Sequence, residues 1–333
     1  MNLFQRNQSI TFIVAVVALV VAFVGAIVFG AADIRLADVA KAFFTTESNE
    51  NILIIREIRL PREVAAMVVG AALAVSGAIM QGLTRNPLAD PGLFGLTAGA
   101  TAGLAIMIAF FPATGYIGIM IGCFLGAAVG AILVFGIGSA KRGGFSPFRI
   151  VLAGAAVSTF LYAIAEGIGI YFKISKDVSM WTAGGLIGTN WTQLSIVVPV
   201  IVIGCVVAIW LSRQLSILSL DEELSVGLGQ RTTQIKTALF IVIVLLAGAS
   251  VALVGNLVFI GLMIPHIVRW IIGTDYRMII PMSVIVGATF MLVADTAART
   301  LNAPYETPLA AITSFIGLPF FLYIIHKGGR TFS

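Results

Sequence analysis

Apolar runs of about 18 residues or more recur along the whole chain. Each is long enough to cross roughly 30 Å of hydrocarbon as a helix, whereas barrel strands would be shorter and strictly alternating. That repetition restricts the 333 residues to a helical bundle in a bilayer. Composition agrees: 59% of residues are hydrophobic and only 11% charged, against about 25% charged in an ordinary soluble globule. The runs predict an all-α polytopic membrane protein of about ten crossings, at 9–29, 60–83, 92–111, 115–138, 148–171, 192–211, 233–256, 261–272, 278–300 and 307–326. The first could be mistaken for a secretory signal, but its length and sparse basic flank predict a retained anchor.

The 35 glycines are expected where helices must approach closely without a hydrophobic force between them. Cys123 and Cys205 fall inside expected crossings, which predicts core positions rather than a disulfide or a metal site. No linker rich in Pro, Ser or charge divides the chain, so residues 1–333 are expected to form one transmembrane domain, with the longest outer segment at about 30–59.

Lys and Arg set the orientation. With a cytoplasmic N-terminus, twelve of the 20 basic residues fall inside, among them Arg85, Arg213, Arg231, Arg269 and Arg277. Arg56, Arg59, Arg62 and Arg299 fall outside, and both termini are then cytoplasmic. This bias accounts for most of the net charge of +5, which therefore gives no indication of nucleic acid.

A long polar stretch from Arg213 to Lys236 interrupts the apolar pattern on the inner side. Ser219 followed by Glu222 has the spacing of a capping box, and Asp221, Glu222 and Glu223 would place negative charge in a first helical turn. Leu220, Leu224 and Leu228 share one helical side, and Gly227 and Gly229 can end the helix in left-handed conformation. A helix this short is marginal alone in water and needs a surface to pack on. The pattern fits a docking helix or a solvated loop with a cap.

On the outer side, Arg56-Glu57-Ile58-Arg59-Leu60-Pro61-Arg62 gathers three arginines at the mouth of the second crossing. Interfacial snorkelling would account for one or two of them, and recognition of carboxylates on another protein would use all three, with Arg299. Only two acids, Glu166 and Asp295, lie well within the expected crossings, where charge is costly and a functional hint. Asp295 stands four residues before Arg299, which predicts an ion pair on one helix face. Glu166 either reaches water or lines a pathway. Few midplane acids speak against a proton- or sodium-coupled carrier, and no phosphate-cradling G-x-x-x-x-G-K-[ST] loop, G-x-S-x-G, H-E-x-x-H or cysteine cluster is present. An enzyme is not expected; a transport subunit driven from elsewhere is.

A faint internal repeat relates 69–77 to 247–255, each followed by Gly-Leu and then a proline, at Pro87 and Pro265. These segments lie on crossings of opposite direction, as in inverted-repeat transporters. Both prolines are expected at the ends of crossings, where cavities tolerate broken helices.

Taken together, Ile58-Arg-Leu-Pro-Arg62, Val69 to Leu83, Asn86-Pro-Leu-Ala-Asp-Pro-Gly92, Leu220 to Gly229, Phe259 to Arg269 and Ala294-Asp-Thr-Ala-Ala-Arg299 resemble the permease subunits of type II ABC importers. The similarity is to the FecCD-type family for ferric siderophores, haem and cobalamin, and spans the chain from about Leu53 onward. It implies an inverted-repeat bundle in the bacterial cytoplasmic membrane, paired with a second permease subunit, identical or paralogous. It also implies two ATP-binding subunits inside, which hold the ATP and Mg, and a substrate-binding protein outside, with no cofactor on this chain.

By the same resemblance, Leu220, Asp221, Glu222, Glu223, Leu224, Gly227 and Gly229 are the ATPase-coupling element. Arg59, Arg62 and Arg299 match positions that dock the binding protein, and Ser146 and Pro147 match the region of the inner gate. The implied mechanism is alternating access, in which the coupling helix biases a two-state bundle. A ferric siderophore is the expected cargo, haem or cobalamin the alternatives, and an ion-coupled secondary carrier the competing class.

Overall fold

The computed structural model describes residues 8–30, 34–47, 49–139, 147–220, 222–303 and 305–328. Among them the secondary structure is helical: α1 Gln8–Val28, α2 Leu36–Phe44, α3 Glu50–Ile54, α4 Leu60–Thr84, α5 Leu96–Phe110, α6 Gly115–Ser139, α7 Pro147–Tyr171, α8 Ser175–Thr182, α9 Trp191–Leu218, α10 Glu222–Gly227, α11 Thr232–Val254, α12 Ile260–Ile272, α13 Tyr276–Thr300 and α14 Leu309–Gly328. Seven stretches, built on α1, α4, α6, α7, α9, α11 and α13, are long and apolar enough to span a bilayer. The expected crossings at 92–111, 261–272 and 307–326 correspond to the shorter apolar helices α5, α12 and α14, so seven of the ten expected crossings meet the length of a full span among the described residues.

Helix α4 is the axis of the bundle. All but four of its residues are buried, and it packs against α9, α11, α12 and α13. A helix apolar all round belongs in such a position. Glycine sets how closely the neighbours come. A Cβ added at Gly70 would lie 2.3 Å from the Gly287 carbonyl oxygen of α13, and one at Gly77 would lie 1.9 Å from that of Gly261 in α12. The α5–α6 pair uses the same device, with Gly99 against Gly126 and Gly103 against Gly122, both 2.1 Å by the same measure. These are small-xxx-small contacts, in which backbone meets backbone and dispersion replaces the hydrophobic force that lipid cannot supply. Cys123 and Cys205 are buried free thiols within this packing, as expected.

Before α4 the chain makes one wide turn, Ile55–Arg59, in which Leu60 N–H reaches back five residues to the Ile55 carbonyl. Pro61 has no N–H and its ring would crowd the carbonyl four residues earlier, so the widened turn admits the proline without ending the helix. The outer segment is folded as well: Ile27, Ile34, Val39, Ala42, Ile52 and Ile55 form a small core joining the end of α1 to α2 and α3.

One expectation is corrected here. Pro265 lies inside α12 and is buried, not at the end of a crossing. The two segments of the internal repeat fall on α4 and α11, both largely buried and packed on each other.

Candidate functional site

At the N-terminal end of α4, three arginines and three carboxylates converge with the last carbonyls of α1. Helix α1 leaves its final C=O groups without intrahelical partners, and these carry the negative end of its dipole. Arg59 Nη1 donates to the Ile27 carbonyl and, at 2.9 Å, to that of Val28, while Arg299 Nη2 donates to Ala26 at 3.0 Å. Two guanidiniums from α13 and the turn before α4 thus cap a third helix.

Arg299 Nη2 also donates to Glu63 Oε1 at 2.6 Å, and its Nε lies 3.1 Å from Asp295 Oδ2. The latter is a close ion pair whose N–H points off the line of a hydrogen bond. Arg62 Nε and Nη2 form a fork on Asp295, with contacts of 2.9–3.2 Å. Its Nη1 and Nη2 form a second fork on Glu306, at 2.7 and 2.8 Å. Forked guanidinium–carboxylate pairs fix geometry as well as charge. Arg62 hydrogen bonds hold the Glu306 carboxyl below the usual carboxylate range against the opposing effect of partial burial.

The predicted Asp295–Arg299 pair is therefore present, inside a larger network. Arg59, Arg62 and Arg299 are only 5%, 9% and 8% exposed. They are held by internal acceptors and do not project as a free basic surface. Arg56 wraps the end of α2, its Nε donating to the Ala42 carbonyl at 2.9 Å. Two members escaped the sequence reading. Glu63, in the first turn of α4, is wholly buried, so Glu166 and Asp295 are not the only acids to be weighed in the bundle. An acid beside Arg62 inside an apolar run was the available signal. Glu306, in the loop before α14, carried no local signal.

At the opposite end of the bundle, α9 ends at Leu218 and α10 follows as a separate six-residue helix. Ser219 does not cap it. Its hydroxyl donates back to the Ser216 carbonyl at 2.8 Å and its backbone closes α9, so the predicted capping box is not formed by that residue. The end of α10 follows the expected chemistry: Gly229 has φ +77°, its N–H bonds the Val226 carbonyl, and Gln230 N–H bonds Ser225. This is a Schellman closure with Gly229 in the left-handed position, while Gly227 remains helical. Ser225 faces inward, wholly buried, and donates to the Ile217 carbonyl at 3.2 Å.

The leucines on and beside α10 are bare: Leu224 within it and Leu220 and Leu228 flanking it are 61%, 71% and 69% exposed, and Val226 is exposed beside them. One side of this short helix thus rests on α9 through Ser225, while its leucines are uncovered among the described residues. Glu222 and Glu223 open α10, but their side chains, with Asp221, lie outside the described residues. Ser146 does too; Pro147 begins α7, its side chain likewise outside them. Glu166 is exposed on α7.

The model of the FecCD transport family matches residues 6–327. The iron(3+)-hydroxamate import system permease protein FhuB of Bacillus subtilis (strain 168) is 45% identical over 302 residues, covering 90% of this chain and 79% of that one. The hemin transport system permease protein HmuU of Yersinia pestis is 40% identical over 277 residues, 80% of this chain and 81% of that one. A solved structure described as an inward-facing metal-chelate type ABC transporter superposes with a TM-score of 0.84 at 27% identity, over 96% of this chain and 99% of that one. On sequence and on fold, the chain belongs to the FecCD transport family.

Proposed function

We propose that the chain is the membrane permease of an ATP-driven importer that carries a ferric siderophore delivered by a substrate-binding protein, with a hydroxamate chelate the first to test. The observation that carries this reading is α10: a short helix closed by Gly229 and seated on the end of α9 through Ser225, with Leu224 and Leu228 left exposed among the described residues. Such a helix fits a cleft on a cytoplasmic ATPase subunit, and its differential contacts in the two states of that subunit would bias the bundle between them. The relative most similar among those named above is an iron(3+)-hydroxamate permease, which supports the cargo. Haem, named for the Yersinia relative, and cobalamin, named for a 36% identical Halobacterium permease, are the alternatives.

The same reading places both termini and α10 in the cytoplasm and the arginine network outside. It pairs the chain with a second permease subunit, identical or paralogous, with Glu166 on a pathway face and the start of α7 at the inner gate. Docking of the binding protein at Arg59, Arg62 and Arg299 belongs to this proposal. On this reading an incoming carboxylate would share Arg62 with Glu306 or displace it, a route supported by Glu306 having a third of its side chain exposed.

Two experiments test the reading. Glu222→Lys with Glu223→Lys is expected to abolish ATPase co-purification and uptake; normal values for both would sink the docking role. Radio-iron uptake on a panel of ferric chelates, with the chain deleted and restored, is expected to fail on a hydroxamate. Loss confined to haem, or to radio-cobalt cobalamin assayed in parallel, would reassign the cargo.

A further inference from the structure

A cavity of about 620 Å³ opens at the end of the bundle opposite the arginine network, lined by the C-terminal ends of α4, α9 and α12 and the start of α13. Its lining residues include three arginines, Arg85, Arg269 and Arg277, and one acid, Asp275. Asp275 is already engaged: it accepts from the Ser216 hydroxyl at 2.7 Å and from the Arg277 backbone N–H at 3.0 Å. The lining is therefore cationic, with hydroxyls among the cations.

Three features mark a built site rather than a solvated basic surface. Arg269 is positioned: its Nη2 donates to the Tyr276 hydroxyl at 3.2 Å, and its guanidinium carbon sits 5.9 Å from the centre of that ring. Tyr276 is itself held by its backbone N–H on Ser216 Oγ at 2.9 Å. Yet Arg269 Nη1 is buried with no hydrogen-bond partner. A buried guanidinium edge left unpaired is costly, and a native structure that retains one calls for an acceptor.

Gln81 is the second feature. It is 2% exposed, its Nε2 is held on the Leu262 carbonyl at 3.2 Å, and its Oε1 has no partner. The third is Arg85, which closes α4 in left-handed conformation at φ 49°, where glycine is the usual residue. Strain of this kind persists where surrounding structure holds it, often at binding sites.

We propose that this cavity is an anion site that takes a phosphate group. Guanidinium edges and hydroxyls together match phosphate oxygens, and the orphaned Gln81 oxygen suits a hydroxyl carried on or beside that group. A phosphodiester with a hydroxylated headgroup and a soluble phosphate share this chemistry. The site lies next to α10, since Leu220 lines it, so an occupied cavity would stiffen the base from which the bare helix projects.

The test uses the full chain in two arms. In phosphate-free neutral detergent, inorganic phosphate is titrated at constant ionic strength while the unfolding midpoint is read. In mixed phosphatidylcholine and phosphatidylglycerol micelles, retained lipid is counted by native mass spectrometry. Wild type is expected to respond in at least one arm. A rise in midpoint with the logarithm of phosphate concentration identifies a soluble ligand, and selective retention of phosphatidylglycerol identifies a lipid. Arg269→Gln and Arg85→Gln are each expected to weaken the response about tenfold, the scale of one lost charge-assisted contact. Silence of wild type in both arms, or an undiminished response in both variants, would overturn the site. If ATPase affinity fell in Arg269→Gln while both phosphate arms stayed silent, the cavity would instead receive the partner protein and the phosphate assignment would be wrong.

Discussion

Arg299 and Glu63 meet at 2.6 Å between Nη2 and Oε1, across 236 residues of sequence, with their side chains 7% and 0% exposed. The contact ties α13 to α4 where Arg299 also caps α1, so one guanidinium fixes the relative positions of three helices. Beside it, Arg62 joins Asp295 of α13 to Glu306 of the following loop. Three cations balance three acids here, and each loses hydration that only its partners replace.

Removing one partner of the buried pair is expected to cost more than removing both. Arg299→Ala leaves Glu63 buried without its hydrogen-bond partner, at about 3–5 kcal/mol, whereas Arg299→Met with Glu63→Leu is expected to recover much of that loss. Thermal unfolding of the single and double variants in detergent checks this; a double variant less stable than Arg299→Ala would contradict it.

Glu306 gives a charge-dependent prediction. Its native carboxyl is held below the ordinary value of 4.5, chiefly by the hydrogen bonds from Arg62. Its stabilising contribution is therefore fully present above about pH 4.5 and lost as pH falls through the lowered native value. Glu306→Gln is expected to remove that segment of the acid-stability curve. At neutral pH the same variant frees one fork of Arg62 and is expected to tighten binding-protein docking by about 0.5–1 kcal/mol, the scale of a partly screened ion pair. Surface plasmon resonance on the reconstituted permease reads the change; weaker binding would count against competition at Arg62.

Glycine contacts predict a sharp contrast between two positions. Gly77→Ala places a methyl group 1.9 Å from the Gly261 carbonyl oxygen, so α4 and α12 must part, and a loss of about 2 kcal/mol or more is expected. At Gly136 an added Cβ meets nothing within 4 Å, and Gly136→Ala is expected to stay within about 0.5 kcal/mol of wild type. Equal unfolding midpoints for the two variants would show that the α4–α12 contact is not as close as described.

Much of this architecture is written in local pattern. Hydropathy marks the spans because lipid leaves a helix no other way to satisfy its backbone. Gly229 announces the end of α10 because a left-handed residue is needed there. The Asp295–Arg299 pair was legible because four residues make one helical turn, but Arg62 and Glu306 are 244 positions apart and meet only through tertiary packing. Glu63 was overlooked for a related reason. An acid in the first turn of a helix already has an explanation in the dipole, and its burial against Arg299 is not a local property. Ser219 had the spacing of a cap, yet it lies in the closing turn of α9, where its hydroxyl bonds Ser216.

The bare leucines of α10 supply the most direct measurement. Leu224 and Leu228 are 61% and 69% exposed, so Leu224→Asp with Leu228→Asp is expected to leave the unfolding midpoint of the isolated permease unchanged. In proteoliposomes holding the permease and its ATPase subunits, the double variant is expected to lose ATPase binding and ATP-driven uptake of a ferric hydroxamate together. Uptake at the wild-type rate by a folded double variant would contradict the assignment of α10 as the point where ATP hydrolysis moves this bundle.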